Sequence, residues 1–256
     1  MNNPLLESFK TPFNTPPFAE IKNAHFKPAI EQLIEEAKTE IAEITANKAV
    51  PSFSNTIEAL ERSGKQLDRA SSVFFNLNSA ETSDEIQVLA RDISPLLTEF
   101  SNDILLNEAL FARVKSAFDN TDQNELTEEQ QTLLTKSYKG FVRNGALLNE
   151  EDKTKLRTID VDLSQLSLEF GEHVLAETNK YQMVINNEAD LDGLQEFAIE
   201  QAKEMAQEKG HENSWVITLD YPSYVPFMTY AKNRELRKEL SLAFSTKAFK
   251  GDELDN

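Results

Sequence analysis

The chain contains no cysteine among its 256 residues, so it has no disulfide framework, no thiol nucleophile and no thiolate metal site. Three histidines and the carboxylates remain as its side-chain metal ligands. Glycine (7) and proline (9) are scarce, while Glu, Leu, Ala, Lys and Gln, which lose little freedom in a helix, are plentiful. No apolar run approaches the roughly 20 residues of a membrane-spanning helix. The start, MNNPLLESFKTPFNTPPF, has neither the basic nor the apolar region of a secretory signal. A cytoplasmic location is expected. Positive charge is also short: 26 Lys+Arg stand against 44 Asp+Glu, a formal charge of −18 spread over both halves. Nucleic-acid binding needs a local basic patch, and none is present.

The length suits one or two domains of about 150 residues each, with a sizeable core. Residues 1–24 hold Pro4, Pro12, Pro16 and Pro17 and read as an extended arm anchored by Phe9, Phe13, Phe18 and Ile21. From His25 a helical series runs Phe26, Ile30, Leu33, Ala37, Ile41, Ile44, and Val50-Pro51-Ser52 breaks it. A second helix is expected from Ser54 or Asn55 to Phe74. Ser83 caps a third, in which Pro95 predicts a kink or break. Phe111, Val114 and Phe118 mark a further helix, and Thr127 with Gln130 forms a capping box. After Gly145, Asn149 opens a helix whose Leu156, Ile159, Leu163, Leu166 and Phe170 follow a 3-4-3-4 spacing. That spacing predicts the buried seam of an antiparallel helical hairpin.

After Asn179 the period changes. Residues 181–185 and 215–219 read as short strands pairing across a helix from Leu191 to Lys209, and a last helix is expected over 225–248. The predicted fold is mainly α: an array of antiparallel helical hairpins with a small β-ribbon. Its divisions are an arm over 1–24, a helical domain over 25–180 and a ribbon with helices over 181–256.

Residue chemistry alone yields no convincing active site. His211-Glu212 lacks the second histidine of H-E-x-x-H, since position 215 is Trp, and it reads as a solvated loop pair. Glu169, His173 and Glu177 share one helix face, yet a metal needs a further ligand from another element, so His173 reads as structural. His25 reads as a packing or capping residue. There is no G-x-S-x-G elbow and no Gly-rich phosphate loop.

Several strings carry a resemblance: PFAEIKNAHFKPAIEQ (17–32), FSNTIEALERSG (53–64), ISPLLTEFSNDILLNEALFARV (93–114), LTEEQQTLL (126–134), YKGFVRNGALL (138–148), LDYPSYVPFMTYAKNRELRKEL (219–240) and the closing GDELDN. In this order they resemble the thimet oligopeptidase-like zinc metallopeptidases, in particular oligopeptidase A and peptidyl-dipeptidase (dipeptidyl carboxypeptidase). The resemblance implies a two-lobed helical peptidase whose deep channel holds zinc on its floor, bound by an H-E-x-x-H helix and a later Glu. This chain resembles the N-terminal portion and contains no such helix, so no catalytic or metal-binding role transfers to any residue here. Zinc is expected in the full-length enzyme and not in this part. The part's expected role is a channel wall that restricts substrate size, with short peptides and the remaining catalytic part as partners, and no nucleic acid or membrane. Tyr221, Tyr224 and Tyr230 could face a peptide, although core packing is the expected role for at least two of them. The alternative reading is a stand-alone acidic helical module that binds a partner through an apolar groove.

Overall fold

A computed structural model describes residues 3–256; the first two residues of the predicted arm lie outside them. The chain forms two compact units, one through Leu166 and one spanning Ser167–Asn256. The architecture is mainly α, with one two-stranded antiparallel sheet among the described residues.

In the first unit the arm makes two short 3-10 turns, Pro4–Leu6 and Pro12–Asn14, and is only partly anchored. Leu5 and Phe9 are buried, and the Arg69 guanidinium lies 4.2 Å from the centroid of the Phe9 ring. Phe13 and Phe18, expected as anchors, are exposed: Phe13 has a φ of 59°, in a turn that leaves its ring in solvent. Helix α1 (Asn23–Ala46) buries Phe26, Ile30, Leu33, Ala37, Ile41 and Ile44 on one face, as the spacing requires. His25 closes its first turn, accepting from the Lys22 N–H at 3.1 Å.

The expected single helix over 54–74 is three pieces. A π-helical turn Phe53–Glu58, capped by Ser52, leads into α2 (Ala59–Arg62), and α3 (Lys65–Ala80) follows after Gly64. Gly64 takes φ +66°, which ends α2 and resets the chain direction. Helix α4 (Asp84–Leu105) begins at the Ser83 cap and continues through Pro95 as one helix. Helix α5 (Glu108–Asn120) is capped by Asn107, and α6 (Glu128–Arg143) has the Thr127–Gln130 capping box. Ile41, Ile44, Ile57, Leu110, Val114, Leu134 and Phe141 close one core cluster, and Phe26 meets Phe74 at 5.0 Å in another contact.

Helix α7 (Glu150–Lys180) starts where Asn149 accepts from the Asp152 N–H. Gly145, at φ +94°, lets the preceding turn come close: a Cβ there would stand 2.7 Å from Leu156 Cδ2. The predicted seam is a correction. Ile159, Leu163, Leu166 and Phe170 are 52–58% exposed, because no facing helix covers that stripe among the described residues. Packing uses the neighbouring face instead, where Lys153 is buried and Leu156 half-buried.

In the second unit β1 (Met183–Ile185) and β2 (Trp215–Ile217) pair with Met183 opposite Ile217 and Ile185 opposite Trp215. Each is shorter than its predicted span. Residues 181 and 182 join no ladder, and Thr218 turns away, its N–H donating to Ser223 Oγ at 3.0 Å. Helix α8 (Glu196–Glu208) lies between them in sequence and stops before Gly210, at φ +81°. The predicted last helix is two: α9 (Tyr221–Tyr230), opened by Asp220 and Pro222, and α10 (Arg234–Ser245), capped by Asn233. Met183, Ile185, Leu191, Ile217, Leu219, Phe227 and Leu240 form this unit's core.

Candidate functional site

Two grooves flank the C-terminal half of α4 in the first unit. One, of about 390 Å³, lies between α1 and α4, floored by Ile41, Ala42, Ala46, Phe100 and Ile104. Lys38 and Asp103 stand among its polar lining residues. Glu35, three residues before Lys38, accepts from it at 2.9 Å and is the main reason its ammonium is held above the usual lysine range. The other groove, of about 410 Å³, is lined by Glu99, Asn102, Asp103 and, from α7, Arg157, Thr158, Val161 and Asp162. Arg157 bonds Asp103 at 2.9 Å and the Asn102 carbonyl at 3.3 Å, so the guanidinium is already occupied. Asn102 is buried, and its Nδ2 has no partner. The first groove is apolar at its base with charges beside it.

The singled-out histidines and acids are dispersed among structural roles. His173 Nδ1 lies 2.8 Å from Asn256 Oδ1. Glu177 is buried and accepts from Lys250 Nζ at 2.7 Å and from the Ala248 N–H at 3.2 Å, while Glu169 is exposed. His211 Nε2 lies 2.9 Å from Gln182 Oε1, and Glu212 is exposed. Among the described residues no group of three or more His, Asp or Glu side chains is placed to hold a metal.

The tyrosines correct the expectation that at least two are core. Tyr224 stacks on Phe244 at 4.2 Å, but Tyr221 and Tyr230 are exposed. Helix α9 starts at Tyr221, four residues earlier than predicted, and buries Phe227. The α4 grooves were missed altogether. Their residues are spaced across three helices, so no local motif marks them.

Residues 30–153 match the family model described as the Neurolysin/Thimet oligopeptidase, N-terminal domain. The chain is 37% identical over 253 residues to the dipeptidyl carboxypeptidase of Escherichia coli (strain K12), covering 99% of this chain and 37% of that protein. It matches the N-terminal portion of a thimet oligopeptidase-like peptidase. Oligopeptidase A of Haemophilus influenzae is 33% identical over 250 residues, which cover 97% of this chain and 36% of that protein. A probable cytosolic oligopeptidase A of Arabidopsis thaliana is 32% identical over 265 residues, covering 100% of this chain and 36% of that protein. The chain thus spans little more than a third of these relatives. Among the described residues no helix is long and apolar enough to cross a membrane.

Proposed function

We propose that this chain is the non-catalytic N-terminal portion of a cytoplasmic zinc metallopeptidase, an oligopeptidase or peptidyl-dipeptidase acting on short peptides. Its helices form a wall of the substrate channel and restrict substrate size, and the remaining part of the peptidase supplies the chemistry. The observation that carries this reading is the similarity to the Escherichia coli dipeptidyl carboxypeptidase over 253 residues of this chain. The donor set here does not fit zinc: Glu177 is taken by Lys250 and the Ala248 N–H, His173 pairs with Asn256, and no H-E-x-x-H occurs. On this proposal no catalytic step runs through these residues, and the chain alone is inactive.

Translation of the genomic reading frame around these 256 codons is the cheapest test. An H-E-x-x-H within the few hundred codons that follow is the expected result; a frame that closes without one overturns the proposal. On the longer enzyme, an N-blocked peptide with a free or an amidated C-terminus separates the two activities, because a peptidyl-dipeptidase requires the free carboxylate. The alternative, a stand-alone acidic interaction module, is favoured by one observation, the uncovered apolar stripe of α7.

A further inference from the structure

Asparagine followed by glycine occurs once in the chain, at Asn144–Gly145, where α6 ends and the turn to α7 begins. The fold requires that glycine. Its φ is +94°, and a Cβ there would stand 2.7 Å from Leu156 Cδ2, 3.0 Å from Leu148 Cδ1 and 3.2 Å from Leu106 Cδ2. The same missing side chain leaves the Gly145 main-chain nitrogen unshielded. No other residue following an asparagine hinders attack on the side-chain amide so little.

The helix cap opposes that attack. Asn144 is exposed, but its Nδ2 donates to the Gly140 carbonyl at 2.8 Å, and its main-chain N–H donates to the same oxygen at 3.1 Å. The side chain is thereby drawn back over the last turn of α6, away from residue 145. Beyond it, the Ala146 N–H donates to the Phe141 carbonyl at 3.0 Å, and Ala146 is buried in the core cluster with Leu110, Leu134 and Phe141. Ring closure onto the side chain needs Asn144 to leave its cap and its ψ, 25° here, to rotate, so these bonds have to open first. The Gly145 N–H makes only a long bond, 3.5 Å to the Val142 carbonyl, and is freed once the turn opens.

We propose that Asn144–Gly145 is a deamidation site gated by the α6 cap: it reacts only when the turn opens, and its product keeps the turn from closing. The Gly145 nitrogen loses its proton to solvent base and bonds to Asn144 Cγ. The Cγ–Nδ2 bond breaks, and Nδ2 takes a proton from water and leaves as ammonia. A second water opens the resulting five-membered imide at one carbonyl to give aspartate, or at the other to give isoaspartate. Nothing is oxidised or reduced, and water is the only co-reactant. Either product has lost the Nδ2 donor and carries a new carboxylate at the C-terminal end of α6, the negative end of its dipole. Isoaspartate also adds one main-chain carbon before Gly145, where the ends of Leu156, Leu148 and Leu106 leave no room. The reacting atoms and the cap all lie in the first compact unit, and the inference does not rest on the peptidase reading.

Timed incubation in mildly alkaline buffer, with and without unfolding urea, tests it. The peptide cut after Glu129 and Glu150 is sequenced by tandem mass spectrometry, and the same peptide arises from any longer product of the reading frame. In urea Asn144 is expected to exchange NH2 for OH faster than any other asparagine of the chain. In the folded chain the reaction is expected to be slower by about tenfold or more, and by the same factor as hydrogen exchange at the Ala146 N–H, since both report the opened turn. Deamidated chain, separated by ion exchange, should then exchange faster over 141–149 and at its former rate in α1. Asn144→Asp, made directly, should show the same local loosening. Another asparagine reacting first in urea overturns the site. Equal rates in folded and unfolded chain, or a folded rate unrelated to the Ala146 protection, overturn the gate. Unchanged exchange over 141–149 in both the deamidated chain and the variant overturns the effect on the turn.

Discussion

Lys153, 3% exposed, places its ammonium 3.0 Å from the carboxylate of Glu108, forty-five residues earlier. The same nitrogen bonds Glu150 at 2.9 Å, so one buried cation joins the first turns of α5 and α7. Both glutamates stand at helix N-termini, where a negative charge suits the helix dipole.

This arrangement sets a pH window. Hydrogen bonds donated to Glu150 first, then to Glu108, hold Lys153 above its ordinary 10.5, and the bond from Lys153 holds Glu150 below its ordinary 4.5. The lysine's contribution is full below 10.5 and fades as pH rises through its raised value. The glutamate's is full above 4.5 and fades as pH falls through its lowered value. Urea unfolding of wild type and Lys153→Met, followed by circular dichroism, should therefore show the widest midpoint gap between about pH 5 and 10. A gap that stays constant into acid would show that only the methylene stem matters.

Arg113, nearly buried, donates from one side of its fork to the Asn47 carbonyl and from the other to Asn55 Oδ1 at 3.3 Å and Thr56 Oγ1 at 3.4 Å. It ties the loop after α1 to α5. Lysine cannot reproduce that planar fork. Arg113→Lys should cost about 1–3 kcal/mol, read as a fall in melting temperature.

Two leucines on different helices separate core from uncovered surface. Leu134 is fully buried, and Leu134→Ala should cost about 2–5 kcal/mol. Leu163 is 55% exposed, and Leu163→Ala should change stability by no more than about 0.5 kcal/mol. Thermal unfolding of both variants checks the contrast; a comparable loss from both would mean that the α7 stripe is part of the core.

Tyr181 is pushed up to about 12, by burial first and by the Glu239 charge second, and its hydroxyl is buried without a partner. The folded state therefore holds its proton where the unfolded chain releases it, so stability falls as pH rises from 10 towards 12. Tyr181→Phe should flatten that fall and leave stability at neutral pH unchanged or slightly higher, because it removes an unsatisfied group. An ultraviolet titration comparing the two proteins reads it directly.

What was legible in the sequence was local. Ser83 and the Thr127–Gln130 pair cap their helices because each bond spans three residues. The α1 face was legible because Phe26, Ile30, Leu33 and Ile41 meet partners in the same unit. The α7 stripe has an equally regular spacing, yet spacing reports an apolar face and not whether anything covers it. The break at Gly64 depends on one positive φ inside an unbroken polar stretch. In the last stretch, Phe227 and Leu240 are core, because the turn at Ala231–Asn233 folds α10 back onto α9. Val225 and Phe249 are exposed. The grooves beside α4 were invisible, since they arise only when three helices pack.

As proposed, these 256 residues belong to a peptidase without carrying its chemistry. Incubation of the purified chain with an N-blocked short peptide in zinc-containing buffer, with products read by mass spectrometry, tests it most directly. No cleavage above the protein-free blank is expected, with or without zinc. Zinc-dependent release of peptide fragments, abolished by a chelator, would contradict it.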